Sequence, residues 1–348
     1  MAPPSPRPSA THGSSSAAPP RRFGLGGVIL AVIAVLSIGS AVWFTVRDGS
    51  SGDDLRSNLT YIAPAGVGGG WDSFAREGQQ ALRGEGIVNN VQVVNIPGAG
   101  GTIGLSSFVT MTGQADTVMA TGAAMTGGIA TNDSQYTLED VRPLARLAED
   151  YNAFIVKADA EWTSMDELVE AWRQDPSGIV WTGGSVGSID HLVIAQLALS
   201  AGIDPAQIRF IPKAGGGESV QSLMADTADV AVTGFNEVGD QIDAGRVRGL
   251  AITAPERFAD HPDLPTFTEL GYDVDLVNWR GIVAAPGITD EEFASLEAIV
   301  QEMHDSESWR DTLERNRWRD SFLTGDELTE FLRKDQETAR LIVKELGL

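Results

Sequence analysis

The chain has 348 residues, no cysteine, and 48 acidic against 25 basic residues, a formal net charge of −23. That length favours two folded lobes over one; the lack of cysteine excludes disulfides, thiolate chemistry and a lipidated cysteine anchor; and the charge excludes nucleic-acid binding, which needs a basic face. The histidines (His12, His191, His261 and His304) have no metal-ligand spacing, so neither a metal nor another cofactor is expected.

Residues 1–22, rich in Pro, Ser and Ala, read as a disordered tail. Residues 23–46 carry no charge, lie between Arg22 and Arg47, and are long enough to cross a bilayer. Every acidic residue falls at or after Asp48, so the basic flank upstream predicts the tail in the cytoplasm and the body outside. An uncleaved membrane anchor is favoured over a signal peptide, for which Gly39-Ser40-Ala41 offers a cleavage site. Residues 47–57 are a linker.

Beyond it, strand-like runs at 59–63, 91–96, 117–121, 153–156, 179–181, 208–211, 230–233 and 247–253 alternate with helical patterns. The helical stretches are 72–82, 102–111, 164–173, 189–201, 218–225 and 237–244, followed by 290–304 and 326–346. This alternation predicts an α/β fold with mainly parallel sheets. Ser164 and Glu167 form a capping box at one helix start.

Two glycine clusters, at 66–70 and 98–101, each follow a strand and open a helix. Glycine there leaves the first helical N–H groups open to a ligand, and such termini attract anions. The candidate ligand-binding residues are therefore Gly68, Gly69, Gly70 and Trp71 in the first cluster, and Gly98, Ala99, Gly100, Gly101 and Thr102 in the second. Asp72 reads as the N-cap of the first helix, able to meet a carboxylate only through water or a ligand hydroxyl. Trp71 is expected to pack beneath the loop or to wall the pocket, packing being favoured. Valine at Gly69 or Gly100 is expected to weaken binding and leave the fold largely intact. Gly98-x-Gly100-x-x-x-Gly104 departs from dinucleotide-fingerprint spacing, and no acidic residue follows where the ribose would need one.

Gly183-Gly184-Ser185-Val186-Gly187 fits the nucleophile elbow of hydrolases, which would need His261 or His304 to complete a triad. An anion-holding reading explains the same residues better, with Ser185, Gly187 and Ser188 at the start of the next helix. His191, one turn on, reads equally as a structural histidine or as a donor. Lys213, Gly216 and Gly217 form a third site of this kind; Thr121 and Asn236, at or just after strand ends, are weaker candidates. Arg280 can clamp a carboxylate or pin the lobes through an acidic side chain, and the structural role is favoured.

The runs 63–72 and 95–104, then Gly183–Ser188 with His191, Lys213–Glu218 and Asn278-Trp279-Arg280-Gly281, occur in the order seen in substrate-binding proteins of tripartite tricarboxylate transporters, the Bug-type family, which residues 58–348 resemble. The resemblance implies a two-lobed, type II-like periplasmic-binding-protein fold, with 58–153 plus 274–348 as one lobe and 154–273 as the other. It further implies a di- or tricarboxylate ligand held by backbone N–H groups, delivery to membrane subunits, and no enzymatic activity. A monomeric, extracytoplasmic protein is expected. The rivals are a binding protein or tethered sensor for another anion or an amino acid, and a Ser185-dependent esterase.

Overall fold

The computed structural model describes residues 55–348 apart from Ala214. The apolar run 23–46 lies outside the described residues, and among those described no helix is long and apolar enough to cross a membrane. The strands are β1 (Asn58–Ala63), β2 (Asn90–Asn95), β3 (Thr117–Gly122), β4 (Arg142–Asp150), β5 (Asn152–Lys157), β6 (Val180–Gly183), β7 (Arg209–Pro212), β8 (Val230–Gly234), β9 (Val247–Ile252), β10 (Asn278–Ala284) and β11 (Arg319–Leu323). They form two sheets, ordered β11-β4-β10-β3-β1-β2 and β7-β6-β8-β5-β9.

Both sheets are mixed, which corrects the expectation of mainly parallel pairing. In the first, β1 runs parallel to β2 and β3, while β10 is antiparallel to β3 and β4. In the second, β6 is parallel to β7 and β8, while β5 is antiparallel to β8 and β9. Strands β4 and β5 carry the chain from the first sheet to the second and β10 brings it back, so these strands meet neighbours that run the other way.

Helices α1 (Gly70–Gly84), α2 (Thr102–Val109), α3 (Ala123–Thr131), α4 (Met165–Gln174), α5 (Ile189–Ser200), α6 (Gly216–Met224), α7 (Phe235–Asp243), α8 (Phe267–Leu270), α9 (Asp290–Asp305), α10 (Glu307–Arg315) and α11 (Gly325–Glu345) cover the sheets. At α4 the capping box is only half made. Ser164 accepts from the Glu167 N–H, but the Glu167 carboxylate takes the Thr163 N–H. The first half is filled by Phe74 in ring contact with Tyr61, Trp309 and Trp318, the second by Phe154 against Trp181 and Phe267. Large apolar groups removed from water in this way contribute about 1.5–3 kcal/mol each.

Tyr151 alone separates β4 from β5, so the chain passes from the first sheet to the second through a single residue and returns through the longer segment 253–277. Register then fixes which ends face the junction. Asp150 pairs with Asn278 and Arg280 with Gly122, which puts the C-terminal ends of β1, β2 and β3 beside it. Asn152 pairs with Gly234, which does the same for β6, β7 and β8. Loops leaving six strand ends therefore converge on the crossing between the sheets.

Candidate functional site

The first glycine loop is built around a buried carboxylate. Gly69, not Asp72, is the N-cap of α1, and Asp72 lies in the first turn. Asp72 is buried, and its carboxylate accepts from the Gly68 N–H at 2.8 Å, from Asn95 Nδ2 at 2.9 Å and from Arg76 Nε at 3.0 Å. Burial alone would raise its pKa, but the hydrogen bonds from Arg76, Gly68 and Asn95 prevail and hold it down at about 2. One charged side chain thus ties the loop to the end of β2. The Gly68 N–H is turned inward onto Asp72 and that of Gly69 onto Gly66 O. The N–H groups of Gly70, Trp71 and Asp72 have no acceptor within the helix and form its open end.

The second glycine loop holds four consecutive residues at positive φ: Gly98 at 133°, Ala99 at 49°, Gly100 at 61° and Gly101 at 91°. Alanine in that region stores strain, which concentrates where the backbone has a task. The Ala99 carbonyl is held by Thr102 Oγ1 at 2.8 Å and by Asn132 Nδ2 at 3.2 Å. Trp71 packs beneath this loop: a Cβ on Gly101 would lie 2.9 Å from the indole, and one on Gly122 3.2 Å from its Nε1. The two loops and the end of β3 share that one buried prop. A Cβ on Gly100 would come within 2.9 Å of Gly128 Cα, in the backbone of α3. Valine at Gly100 therefore disrupts packing, which corrects the expectation of an intact fold. Thr121 is buried with its hydroxyl on Met125 Sδ, away from any opening.

Arg280, on β10, reaches the same place. Its Nη2 donates to Asp150 at 2.6 Å, while its Nη1 lies 2.9 Å from where a Gly70 Cβ would be. The guanidinium stands over the Trp318 ring, and the residue is 8% exposed. Its Nε has no hydrogen-bond partner. Asp150 also accepts from Asn278 Nδ2 at 2.7 Å.

In the second half, the loops after β6 and β7 close on their own acceptors. The Gly184 N–H donates to Asp190 at 2.7 Å, the Gly187 N–H to His191 Nδ1 at 3.2 Å, and the Gly216 N–H to Glu237 at 2.7 Å. His191 is buried and stacked on Phe210; burial pushes its pKa down to about 4, so it is neutral and structural. Asp190 also accepts from Asn152 Nδ2, on the crossing strand, at 2.5 Å. Burial pushes its carboxyl up to about 7 against the Gly184 hydrogen bond, and the charges of Glu237 and Asp150 act in the same sense as burial. Ser188 caps α5 without a side-chain bond, and its hydroxyl is buried and unpartnered. Ser185, Gly217 and Asn236 are exposed, and Lys213 docks by its N–H onto the Gly183 carbonyl at 2.9 Å.

No triad assembles around Ser185. His261 stands against Asp243 and Asp260, and His304 against Asp305 and Asp320. No group of three or more metal-ligating side chains occurs among the described residues. Sequence reading missed Asp150, Asn152, Asp190 and Glu237. Polar residues on both sides of Tyr151, just ahead of the apolar run 153–156, were the available signal for the first two.

Two mixed sheets joined at a crossing, with glycine loops facing each other across it, make a periplasmic-binding-protein-like solute receptor. The sequence profile described as the tripartite tricarboxylate transporter family receptor matches residues 75–348, and the chain belongs to that family. It is similar to a TctC solute-binding protein from Polaromonas, with 25% identity, a TM-score of 0.69, and coverage of 83% of this chain and 99% of that one. It shares its fold with MatC from Rhodopseudomonas palustris, solved with bound malate, at 19% identity and a TM-score of 0.68 over 82% and 99% of the two chains. The same holds for an R. palustris protein solved with adipate, at 21% identity and a TM-score of 0.71 over 84% and 97%. As a member of this family the chain is a binding receptor rather than an enzyme.

Proposed function

We propose that the protein captures a small carboxylate outside the cytoplasm, between a lobe built on the first sheet and one built on the second, and passes it to the membrane subunits of a tripartite transporter. The observation that carries this reading is the meeting of the open end of α1 with the Arg280 guanidinium at the crossing. Main-chain N–H groups and a fork-shaped cation together suit a carboxylate. Charge-assisted hydrogen bonds contribute about 1.5–3 kcal/mol each, so a few of them reach micromolar affinity after ordering losses. The ligands of the two R. palustris neighbours, malate and adipate, belong to the same chemical class. Bending at Tyr151 would couple occupancy to closure, because a ligand touching both lobes favours the closed arrangement.

The test is a thermal-shift titration of the full chain with small carboxylates of two to six carbons. A ligand that binds the folded form raises its melting temperature. A concentration-dependent rise supports the reading, and a flat response to every carboxylate overturns it.

A further inference from the structure

A cavity of about 490 Å³ opens beside the second sheet at the end remote from the crossing. Strand β5 starts next to the crossing at Asn152 and ends at Lys157, which pairs with Val247; Val247 and Ala158 line the cavity. Ile242, Val247 and Leu264 give it an apolar wall, where Leu264 packs so closely that a Cβ on Gly249 would lie 2.8 Å from its Cδ1. Around that wall stand three carboxylates, Asp243, Asp260 and Asp263, and one guanidinium, that of Arg248. Arg248 donates to the main-chain carbonyls of Ala158 at 2.7 Å, Trp162 at 2.9 Å and Ala160 at 3.1 Å. Its charge offsets at most one of the acids. Among the described residues none of the three forms an ion pair with a lysine or arginine, and they form no group that could hold a metal ion.

Three acids on an open surface are simply solvated; His261, on the wall of the same cavity, is not. Its side chain is only 9% exposed, yet its Nδ1 stands 3.6 Å from Asp243 and its Nε2 3.6 Å from Asp260, both beyond hydrogen-bond reach. The ring is set edge-on to Phe235 at 4.8 Å. Its loop is tied down by the His261 N–H on the Phe258 carbonyl at 3.1 Å, the Leu264 N–H on the His261 carbonyl at 3.1 Å and Arg257 Nη1 on the Pro262 carbonyl at 2.5 Å. A neutral imidazole has one N–H, so one of its nitrogens faces a carboxylate acceptor to acceptor. A donor from outside satisfies both. We infer that this cavity binds an organic cation bearing N–H donors, an ammonium or guanidinium group. Its head lies between His261 and the facing acids, and its apolar stem runs along Ile242, Val247 and Leu264. The volume suits a small molecule or a long side chain, and the net charge of −23 raises the local concentration of cations. A free diamine and a basic side chain of a partner protein carry the same chemistry.

Calorimetric titration of the full chain tests this with cadaverine and agmatine as free cations, and with the acetylated methylamides of lysine and arginine as partner side chains. Ammonium ion, which lacks a stem, and tetramethylammonium, which lacks a donor, are the controls. At least one of the four probes is expected to bind at a single site, about tenfold or more tighter than either control. A tighter fit of cadaverine or agmatine marks a free cation as the occupant, and an equal or tighter fit of a methylamide marks a protein side chain. His261→Phe, which keeps a ring on Phe235, and the double variant Asp243→Asn with Asp260→Asn should each weaken that binding about tenfold, with the melting temperature checking that each still folds. Three results overturn the inference: no binding of any probe, binding no tighter than that of a control, or binding undiminished in both variants, which is diffuse attraction to an acidic surface. None of them bears on the carboxylate site at the crossing.

Discussion

Gly127 of α3 and Gly187 of the loop after β6 meet where the two halves touch: a Cβ on Gly127 would overlap the Gly187 carbonyl oxygen, and one on Gly187 would overlap Thr131 Oγ1. No side chain fits between the backbones there. Gly127→Ala must push the halves apart or bend α3, at about 1–3 kcal/mol for overpacking. The expected result is a lower denaturation midpoint together with weaker carboxylate binding. Unchanged values of both would show that the contact is slack.

Asp72 is predicted to be a loop anchor. Its pKa lies below that of a free aspartate, so the stability it contributes is fully present above about pH 4 and is lost as pH falls towards 2. Asp72→Ala removes hydrogen bonds to Gly68, Asn95 and Arg76 and should destabilise by about 2–3 kcal/mol at neutral pH, since bonds to a charged group are among the stronger ones. Urea denaturation at neutral and acid pH checks both the size and the sign. A deficit that persists undiminished at low pH would contradict this account.

Arg280 and Asp150 separate stability from binding. Arg280→Met leaves a buried aspartate uncompensated, a change that typically costs about 3–5 kcal/mol. The double variant Arg280→Met with Asp150→Asn should recover most of that stability yet still bind carboxylate weakly. If the double variant binds as the parent does, the guanidinium serves only to pin the fold.

Asp190 predicts a slope in the opposite direction. Its pKa is raised to about 7, so between about pH 4 and 7 the native chain keeps a proton that the unfolded chain has released. Stability from this group therefore falls as pH rises through that window and levels off above it. Asp335, a residue of α11 that burial pushes up to about 6, acts in the same sense. Thermal melts between about pH 5 and 8 should show a shallower decline in Asp190→Asn than in the parent. Parallel declines would place the titrating group elsewhere.

The local parts of the site were readable in the chain. Glycine between a β-rich run and an amphipathic helix announces itself, and the starts of α4 and α9 carry their caps in the adjacent residues. What could not be read depends on distant partners. Strand β10 gains its place only between β3 and β4, which the chain reaches after passing through the whole second sheet. Strands β4 and β11 carry arginine and aspartate, which break the alternation that marks a half-buried strand. Helix α3, Ala-Ala-Met-Thr-Gly-Gly-Ile-Ala-Thr, is buried on nearly every side and so has no polar face to mark its period. Asp190 looks in the chain like an ordinary acid in the first turn of a helix. Only the fold sets it against Gly184 and Asn152.

The donors at the open end of α1 belong to the main chain, and no codon change can delete a peptide N–H except one that introduces proline. Lineages can therefore alter most of this surface while the anion-attracting terminus persists, so long as glycine and the Trp71 prop survive. The side-chain acids opposite have no such protection: one nucleotide turns Asp190 into asparagine. Divergence in what such receptors prefer is thus expected to accumulate on the second sheet's side, around an inherited grip on the first.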